Sequence, residues 1–180
     1  SVIVSAARAD DWPGWRGPNR DGVWAETGIL ESFPPEGLPV RWRFPVGRGF
    51  SSPVVARGRV YITDAELLRP RVRESFYCLD AETGKPLWTH SADADYPEWI
   101  FWPDQPRGPG STPIVQGGKV HALGGFGHLL SFDAAKGDVL WERDLRREYK
   151  LRDFPVDASP LIAGELLIVV IGRRPGAGVV

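Results

Sequence analysis

Residue types that could do chemistry are few and scattered in this sequence of 180 residues. Its one cysteine, Cys78, falls in a predicted strand between apolar neighbours, which favours a buried thiol over a reactive one. Three histidines, His90, His121 and His128, lack the spacing of a zinc site. Neither a G-x-S-x-G nor an H-E-x-x-H segment occurs. The sequence therefore predicts no catalytic, cofactor-binding or metal-ligating residue.

A glycine-rich run, G-G-F-G-H at residues 124–128, has the glycine density of a phosphate-binding loop. Such loops place the phosphate at the N-terminus of a following helix, and no helical pattern follows this run. We expect a tight connection between two strands instead.

The formal net charge of −1 provides no basic surface for nucleic acid.

The elements that position the side chains come from a repeated hairpin. Residues 76–88 read F-Y-C-L-D-A-E-T-G-K-P-L-W, and residues 129–141 repeat the order D-x-x-x-G-x-x-x-W. The aspartate can bond to the backbone of its own turn, and the glycine takes the positive φ that closes it. A further tryptophan lies 46 residues before the first of these hairpins ends. The repeated positions are Trp42, Asp80, Gly84, Trp88, Asp133, Gly137 and Trp141.

A second hairpin pattern alternates with the first. Residues 51–62, 111–122 and 158–169 carry S-P or T-P near their start and continue as two short apolar runs around a glycine-containing turn. The repeated prolines are Pro53, Pro113 and Pro160. Four antiparallel strands about every 50 residues are typical of propeller blades. The sequence thus predicts an all-β chain, a β-propeller of four-stranded antiparallel blades.

With these motifs the chain resembles the pyrroloquinoline-quinone-like (PQQ-like) repeat propellers. That family includes quinoprotein alcohol dehydrogenases, the outer-membrane-protein assembly lipoprotein of Gram-negative bacteria and secreted proteins of planctomycete type. The resemblance rests on C-L-D-A-E-T-G-K-P-L-W, S-F-D-A-A-K-G-D-V-L-W, S-S-P-V-V-A-R-G-R-V-Y-I, S-T-P-I-V-Q-G-G-K-V-H-A-L and the leader D-W-P-G-W-R-G-P-N-R-D-G-V-W-A-E-T-G. It implies that Trp42, Trp88 and Trp141 are tryptophan-docking positions between neighbouring blades.

The resemblance also implies what a cofactor site would need. Quinoprotein dehydrogenases hold the quinone between a tryptophan and a disulfide of adjacent cysteines, with calcium on Glu, Asn and Asp side chains. This sequence has no adjacent cysteines and a single asparagine, Asn19. We therefore expect no cofactor within these residues. PQQ with calcium is expected only if the chain is a piece of such a dehydrogenase.

The order of motifs predicts three regions. Residues 1–9 resemble the end of a secretory signal peptide, with an apolar run and a small-x-small site at residues 7–9. Residues 10–38 are rich in Trp, Gly and Pro and predict a strap packed across the blades, because such a segment cannot bury its own tryptophans.

Residues 39–180 predict about three blades of an eight-bladed PQQ-like propeller, the number of blades being implied by the resemblance. Residues 39–46 are expected to form a first strand that carries Trp42 and pairs with a C-terminal part of the propeller absent from this sequence. The blades are expected at about residues 50–90, 111–145 and 157–180, the last one truncated after its second strand.

Residues 94–110 contain a cluster of aromatic residues between two predicted blades. Tyr96, Trp99, Phe101 and Trp102 fall within seven residues of a loop. They form either a lid packed on the propeller or an exposed contact surface. This loop is the best candidate for binding in the sequence.

Two hypotheses for function follow. The first is a non-catalytic, exported propeller that acts as a scaffold and binds a protein, a peptide or a carbohydrate. The alternative is a fragment of a PQQ-dependent alcohol or sugar dehydrogenase whose cofactor ligands lie in other blades. Neither hypothesis involves nucleic acid, and the sequence contains no apolar segment of transmembrane length.

Overall fold

The structure, a computed structural model, describes residues 10–28, 30–104, 107–152, 154–174 and 177–180. The predicted signal-peptide remnant at residues 1–9 lies outside the described residues. Apart from a short α-helix, α1 (Leu145–Tyr149), and a 3-10 turn (Glu98–Phe101), the described elements are β-strands. The predicted all-β class is confirmed.

Two four-stranded antiparallel sheets, blade A and blade B, each have their strands in sequence order. The strands of blade A are β1 (Val54–Ala56), β2 (Arg59–Leu68), β3 (Arg71–Asp80) and β4 (Pro86–Ala94). The strands of blade B are β5 (Ile114–Gln116), β6 (Lys119–Leu123), β7 (His128–Asp133) and β8 (Val139–Asp144). The predicted four-stranded blades of a propeller are confirmed.

Blade C contains two hairpins that are separate two-stranded sheets. The first pairs β9 (Leu161–Ala163) with β10 (Leu166–Ile168), and the second pairs β11 (Val170–Arg174) with β12 (Ala177–Val179). The expected truncation of blade C after its second strand stays a prediction. Strand β11 follows β10 after one residue, and β12 returns along it.

Residues 39–46 form no strand in the structure, and the sequence-based expectation of one depended on a partner from another part of the propeller. A strand needs a neighbour to receive its backbone hydrogen bonds, and the part of the chain that the structure describes offers none to this segment. The chain first joins a blade at Arg48, which forms an isolated bridge with Ala65 of β2.

The main core lies between blades A and B. It joins apolar side chains of β1 to β3 with those of β6 and β7: Val54, Tyr61, Phe76, Cys78, Val120, Leu130 and Phe132. Phe76 and Phe132 meet with ring centroids 5.5 Å apart. A second cluster joins blade B and helix α1 to blade C through Leu129, Leu145 and Val169. Each blade is thus stabilised by the sheet beside it.

The strand order separates the connections into two groups. The β1–β2, β3–β4, β5–β6 and β7–β8 turns lie at one end of the blades, which we call the turn end. The β2–β3 and β6–β7 turns and the connection from β4 to β5 lie at the opposite end, which we call the linker end.

The first part of the strap, residues 11–20, runs along the innermost strands. Trp12 exchanges two backbone hydrogen bonds with Val55 of β1, at 2.7 and 3.0 Å. The carbonyl of the next residue, Pro13, accepts a bond from Val115 of β5 at 2.8 Å. The strap therefore bridges the inner strands of two blades. Trp15 and Trp24 are more than half exposed, so the expectation that all tryptophans of the strap pack on the blades is wrong.

Candidate functional site

The turn between β3 and β4 is built around Asp80. Its Oδ1 accepts bonds from the backbone amides of Glu82 and Thr83, at 3.2 and 2.8 Å, and from the Thr83 hydroxyl at 2.7 Å. The bonds from Thr83 and the amide of Glu82 lower the pKa of Asp80, because they favour the carboxylate. Gly84 closes the turn at φ +69° and donates to the Asp80 carbonyl.

The turn between β7 and β8 repeats this arrangement with one bond fewer. Asp133 accepts from the amides of Ala135 and Lys136 at 2.9 and 2.8 Å, which lowers its pKa. Lys136 occupies the position of Thr83 and brings no hydroxyl. Gly137 closes the turn at φ +80°.

Two of the repeated tryptophans lie on the turn glycine of the following blade. A Cβ at Gly84 would lie 2.5 Å from the Trp42 ring, and one at Gly137 would lie 2.6 Å from the Trp88 ring. The indole of Trp42 also donates to the Ala81 carbonyl at 2.9 Å, and that of Trp88 donates to the Ala134 carbonyl at 3.1 Å. Each indole thus contacts the same two features of the next turn.

Trp141 has different surroundings. Its side chain is 37% exposed and its ring lies 5.6 Å from that of His121. Within the described residues no turn glycine lies under its ring. It lines a small cleft beside blade C together with Leu167, Val169 and Val180.

The S-P and T-P positions begin the inner strands and join neighbouring blades. The amide of Ser52 donates to Thr112 Oγ1 at 3.2 Å, and the amide of Thr112 donates to Ser159 Oγ at 3.0 Å. Thr112 and Ser159 directly precede Pro113 and Pro160, and Ser52 directly precedes Pro53. No role for these hydroxyls was predicted from the sequence. Their recurrence before each proline was the available signal.

The aromatic turn, residues 96–102, lies at the linker end. Its four aromatic side chains differ in how far they are buried. Tyr96 is only 8% exposed, so it belongs to the core and offers no surface to a partner, which corrects that part of the prediction. Trp99 and Phe101 are half-buried and pack against a buried cluster that includes Phe126. Trp102 is 60% exposed. The turn therefore combines three aromatic side chains packed on the blades with one exposed aromatic side chain.

Glu74 of β3 lies under this turn and is 1% exposed. Its Oε1 accepts from the Tyr96 hydroxyl at 2.6 Å and from the amide of Gly125 at 2.7 Å. Its Oε2 has no hydrogen-bond partner among the described residues. Burial raises the pKa of Glu74, although these two bonds and the nearby His128 act in the opposite direction.

The glycine run at residues 124–128 makes room for this buried pair. A Cβ at Gly124 would lie 2.1 Å from Glu74 Oε2, and one at Gly125 would lie 2.4 Å from the Tyr96 hydroxyl. Gly127 has φ +94° in the turn between β6 and β7. These glycines therefore serve packing and a strand connection.

A cleft of about 650 Å³ opens beside Tyr96, between the outer strands of blades A and B and helix α1. Its rim is charged, and each rim carboxylate has a basic partner: Asp93 with Arg73, Asp95 with Arg146, Glu142 with His128, Asp144 with Arg147 and Glu148 with Arg143. These pairs are exposed and contribute little to stability. They give the cleft a polar rim beside the aromatic turn.

By the resemblance, a PQQ and calcium site would need clustered metal ligands and a disulfide of adjacent cysteines. Among the described residues no group of three His, Cys, Asp or Glu side chains is placed to hold a metal ion. Cys78 is fully buried in β3, opposite Tyr61 and Trp88, and burial raises the pKa of its thiol. It has no adjacent cysteine with which to form the disulfide that such a site requires.

The sheets and turns define a β-propeller repeat protein, and the family follows from comparison with known proteins. A family model described as "Outer membrane protein assembly factor BamB" matches residues 26–179. The chain belongs to this PQQ-like repeat family. No curated protein sequence matches it significantly.

Solved structures show the same fold. Quinohemoprotein alcohol dehydrogenase from Comamonas testosteroni is 21% identical, with a TM-score of 0.56 over 92% of this chain and 24% of its own. Quinohemoprotein alcohol dehydrogenase ADHIIG from Pseudomonas putida HK5 is 23% identical, with a TM-score of 0.50 over 73% of this chain and 18% of its own. The chain thus spans less than a quarter of the length of either enzyme.

No helix among the described residues has the length and apolar character to cross a membrane.

Proposed function

We propose that this chain is part of an exported, non-catalytic propeller that acts as a scaffold for a protein partner. The observation that carries the proposal is the linker end, where an exposed aromatic side chain stands on a firmly packed support. Trp102 is 60% exposed, while Ile100, two residues earlier, is fully buried. Rigid aromatic side chains on a fixed base are typical of interface anchors.

The neighbourhood of Trp102 suits a protein surface. Arg69, in the turn between β2 and β3, forms an ion pair with Glu98 and lies 5.8 Å from the centroid of the Phe101 ring. Leu68 beside it is 46% exposed. An apolar centre with a charged rim is the usual composition of protein interfaces. The family description, an assembly factor, agrees with such a role.

Export is part of the same proposal. Its support is the pattern of residues 1–9, an apolar run followed by a small-x-small site. N-terminal sequencing of the mature protein from a cell fraction tests this part. We expect the mature chain to start at Asp10 outside the cytoplasm, and a cytoplasmic protein with residues 1–9 retained would contradict export.

The alternative is that the chain is a piece of a PQQ-dependent dehydrogenase. The structural likeness to two quinohemoprotein alcohol dehydrogenases favours this alternative, although at 21% and 23% identity it shows the fold alone. The discriminating experiment is to titrate the intact polypeptide with PQQ and calcium and to follow alcohol-dependent dye reduction. We expect no saturable binding and no turnover. Saturable binding with turnover would overturn the scaffold.

The interface itself is tested by site-specific photo-crosslinking in the native host. A photo-reactive phenylalanine analogue at position 102 is expected to give a discrete crosslinked protein. The matched control places the analogue at Leu87, which is 48% exposed on β4. An identical pattern from both positions, or no product from position 102, would contradict a partner at the linker end.

A further inference from the structure

A second cleft, of about 430 Å³, lies away from the aromatic turn, between the strap and the inner strands of blades B and C. Its apolar wall includes Trp15 of the strap, Ile114 of β5, Leu161 of β9 and Ile168 of β10. The volume lies within the range of small-molecule sites, about 300 to 1,000 Å³. No part of the proposed scaffold function uses this cleft.

The charged side chains among the described lining residues of this cleft are of one sign. Arg16 and Arg20 line it, and no lining residue that the structure describes carries a carboxylate. Arg16 donates from Nη2 to the Asp21 carbonyl at 3.0 Å, and Arg20 donates from Nη2 to the Ile162 carbonyl. Neither guanidinium has an ion pair among the described residues. The cleft therefore holds two guanidinium groups with no carboxylate among its described lining residues.

The backbone around these arginines is held in an unusual conformation. Arg16 has φ +65° and Arg20 has φ +61°, in the left-handed region that Gly and Asn occupy at lower cost. The turn is fixed by a hydrogen bond of 3.0 Å from Gly22 to the Arg16 carbonyl and by the Trp12 ring, which lies over Gly17. Strained positions that keep a long charged side chain point to a use for that side chain.

We propose that this cleft binds a small organic carboxylate. The two guanidinium groups hold the carboxylate through charge-assisted hydrogen bonds, for which the planar fork of arginine is well suited. The apolar body of the ligand lies against Trp15, Ile114 and Leu161. An inorganic anion would leave this apolar wall unused, so the carboxylate carries an apolar or aromatic group.

The first test titrates the intact polypeptide with 3-phenylpropionate, using isothermal calorimetry or ligand-observed NMR. We expect saturable binding of one equivalent. The neutral isostere 3-phenylpropanamide, acetate and inorganic phosphate are each expected to bind at least tenfold more weakly. Equal binding of the amide would overturn the role of charge, and equal binding of acetate or phosphate would overturn the role of the apolar wall. No binding of 3-phenylpropionate at about 10 mM would overturn the site.

Variants locate the binding. The double variant Arg16→Asn, Arg20→Asn keeps residues that tolerate a positive φ and is expected to bind 3-phenylpropionate at least tenfold more weakly. The matched control is Arg57→Asn, because Arg57 is also left-handed, at φ +52°, and lies in the turn between β1 and β2, outside the cleft. It is expected to bind within twofold of the wild type. Unchanged binding in the double variant, or an equal loss in the control, would overturn the assignment.

A measurement on the wild-type protein covers the case in which the double variant does not fold. Raising NaCl from about 0.05 to 0.5 M screens the two guanidinium groups and is expected to weaken binding of 3-phenylpropionate several-fold. Binding that does not change with salt would overturn the electrostatic part of the site.

Discussion

Glu74 is a carboxyl group that the fold keeps out of water, and this makes stability depend on pH. Burial raises its pKa in the folded chain above the ordinary value of 4.5. The unfolded chain loses the proton near 4.5, whereas the folded chain retains it to higher pH. The unfolding free energy therefore falls as pH rises above 4.5 and levels off once the folded pKa is passed.

We predict that Glu74→Gln removes this dependence. Wild type and variant are expected to have similar unfolding free energies at about pH 4, and the variant gains on the wild type as pH rises toward 8. Each unit by which burial raises the pKa contributes about 1.4 kcal/mol to the final difference. Urea unfolding at several pH values measures it. Glu66→Gln, at an exposed position of β2, is the control and is expected to follow the wild type. A constant offset at all pH values would contradict the prediction.

In the β7–β8 turn, one glycine both takes the positive φ that closes the turn and contacts a tryptophan of the neighbouring blade. Gly137 needs its positive φ, and it also leaves space for the Trp88 ring. Gly118, in the β5–β6 turn of the same blade, has a similar φ of +77° with nothing within 4 Å of an added Cβ. These two glycines separate the cost of backbone strain from the cost of losing the tryptophan contact.

We predict that Gly137→Ala destabilises the protein by about 3 kcal/mol and Gly118→Ala by about 1 kcal/mol. Both variants carry the left-handed strain of a Cβ, about 1 to 2 kcal/mol, and only the first also displaces an indole, which adds about 1 to 3 kcal/mol. Chemical denaturation of both variants measures the difference. Equal losses would show that the Trp88 contact contributes nothing to joining the blades.

Much of each blade could be predicted because its signals are local. Asp80, Gly84 and Trp88 lie within nine residues, and their turn chemistry requires no knowledge of the rest of the chain. The Glu74 site could not be predicted in this way, because Tyr96, Gly124 and Gly125 reach it from two other segments. Residues 39–46 show that a local pattern alone does not make a strand. Their apolar pattern suits a strand, but a strand also needs a hydrogen-bonded neighbour.

The inner strands provide an element-scale prediction of their own. Thr112 is 2% exposed, and its hydroxyl accepts from the Ser52 amide of blade A. Thr112→Val keeps the shape and leaves that amide without its acceptor, which is expected to cost about 1 to 2 kcal/mol. Thr89→Val, at an exposed position of β4, is the control and is expected to change stability by less than about 0.5 kcal/mol. Equal effects in thermal unfolding would argue against a hydroxyl link between blades.

At the scale of the whole molecule, the strap ties together sheets that are far apart in sequence. Trp12 and Pro13 bond to β1 and β5, Arg20 reaches the carbonyl of Ile162 in β9, and Asp11 accepts from the amide of Arg57. Isolated blades have exposed strand edges, and the strap covers the inner edge of two of them. We therefore expect the strap to limit motion between blades more than motion within them.

Hydrogen exchange in Trp12→Ala tests this expectation. The indole of Trp12 packs on Gly17, so its loss is expected to release residues 11–17. In the wild type the amides of Val55 and Val115 donate to the strap, and the release would expose them to solvent. These two amides should exchange at least tenfold faster, whereas those of Leu130 and Phe132, within the β6–β7 ladder and its core, should keep their protection. Trp15→Ala removes a tryptophan that is 56% exposed and should leave all four amides unchanged. If the strap holds separate blades together, its loss accelerates exchange only at the amides that it covers. Equal acceleration of all four amides in Trp12→Ala would instead mean that the strap and the blades open as one unit.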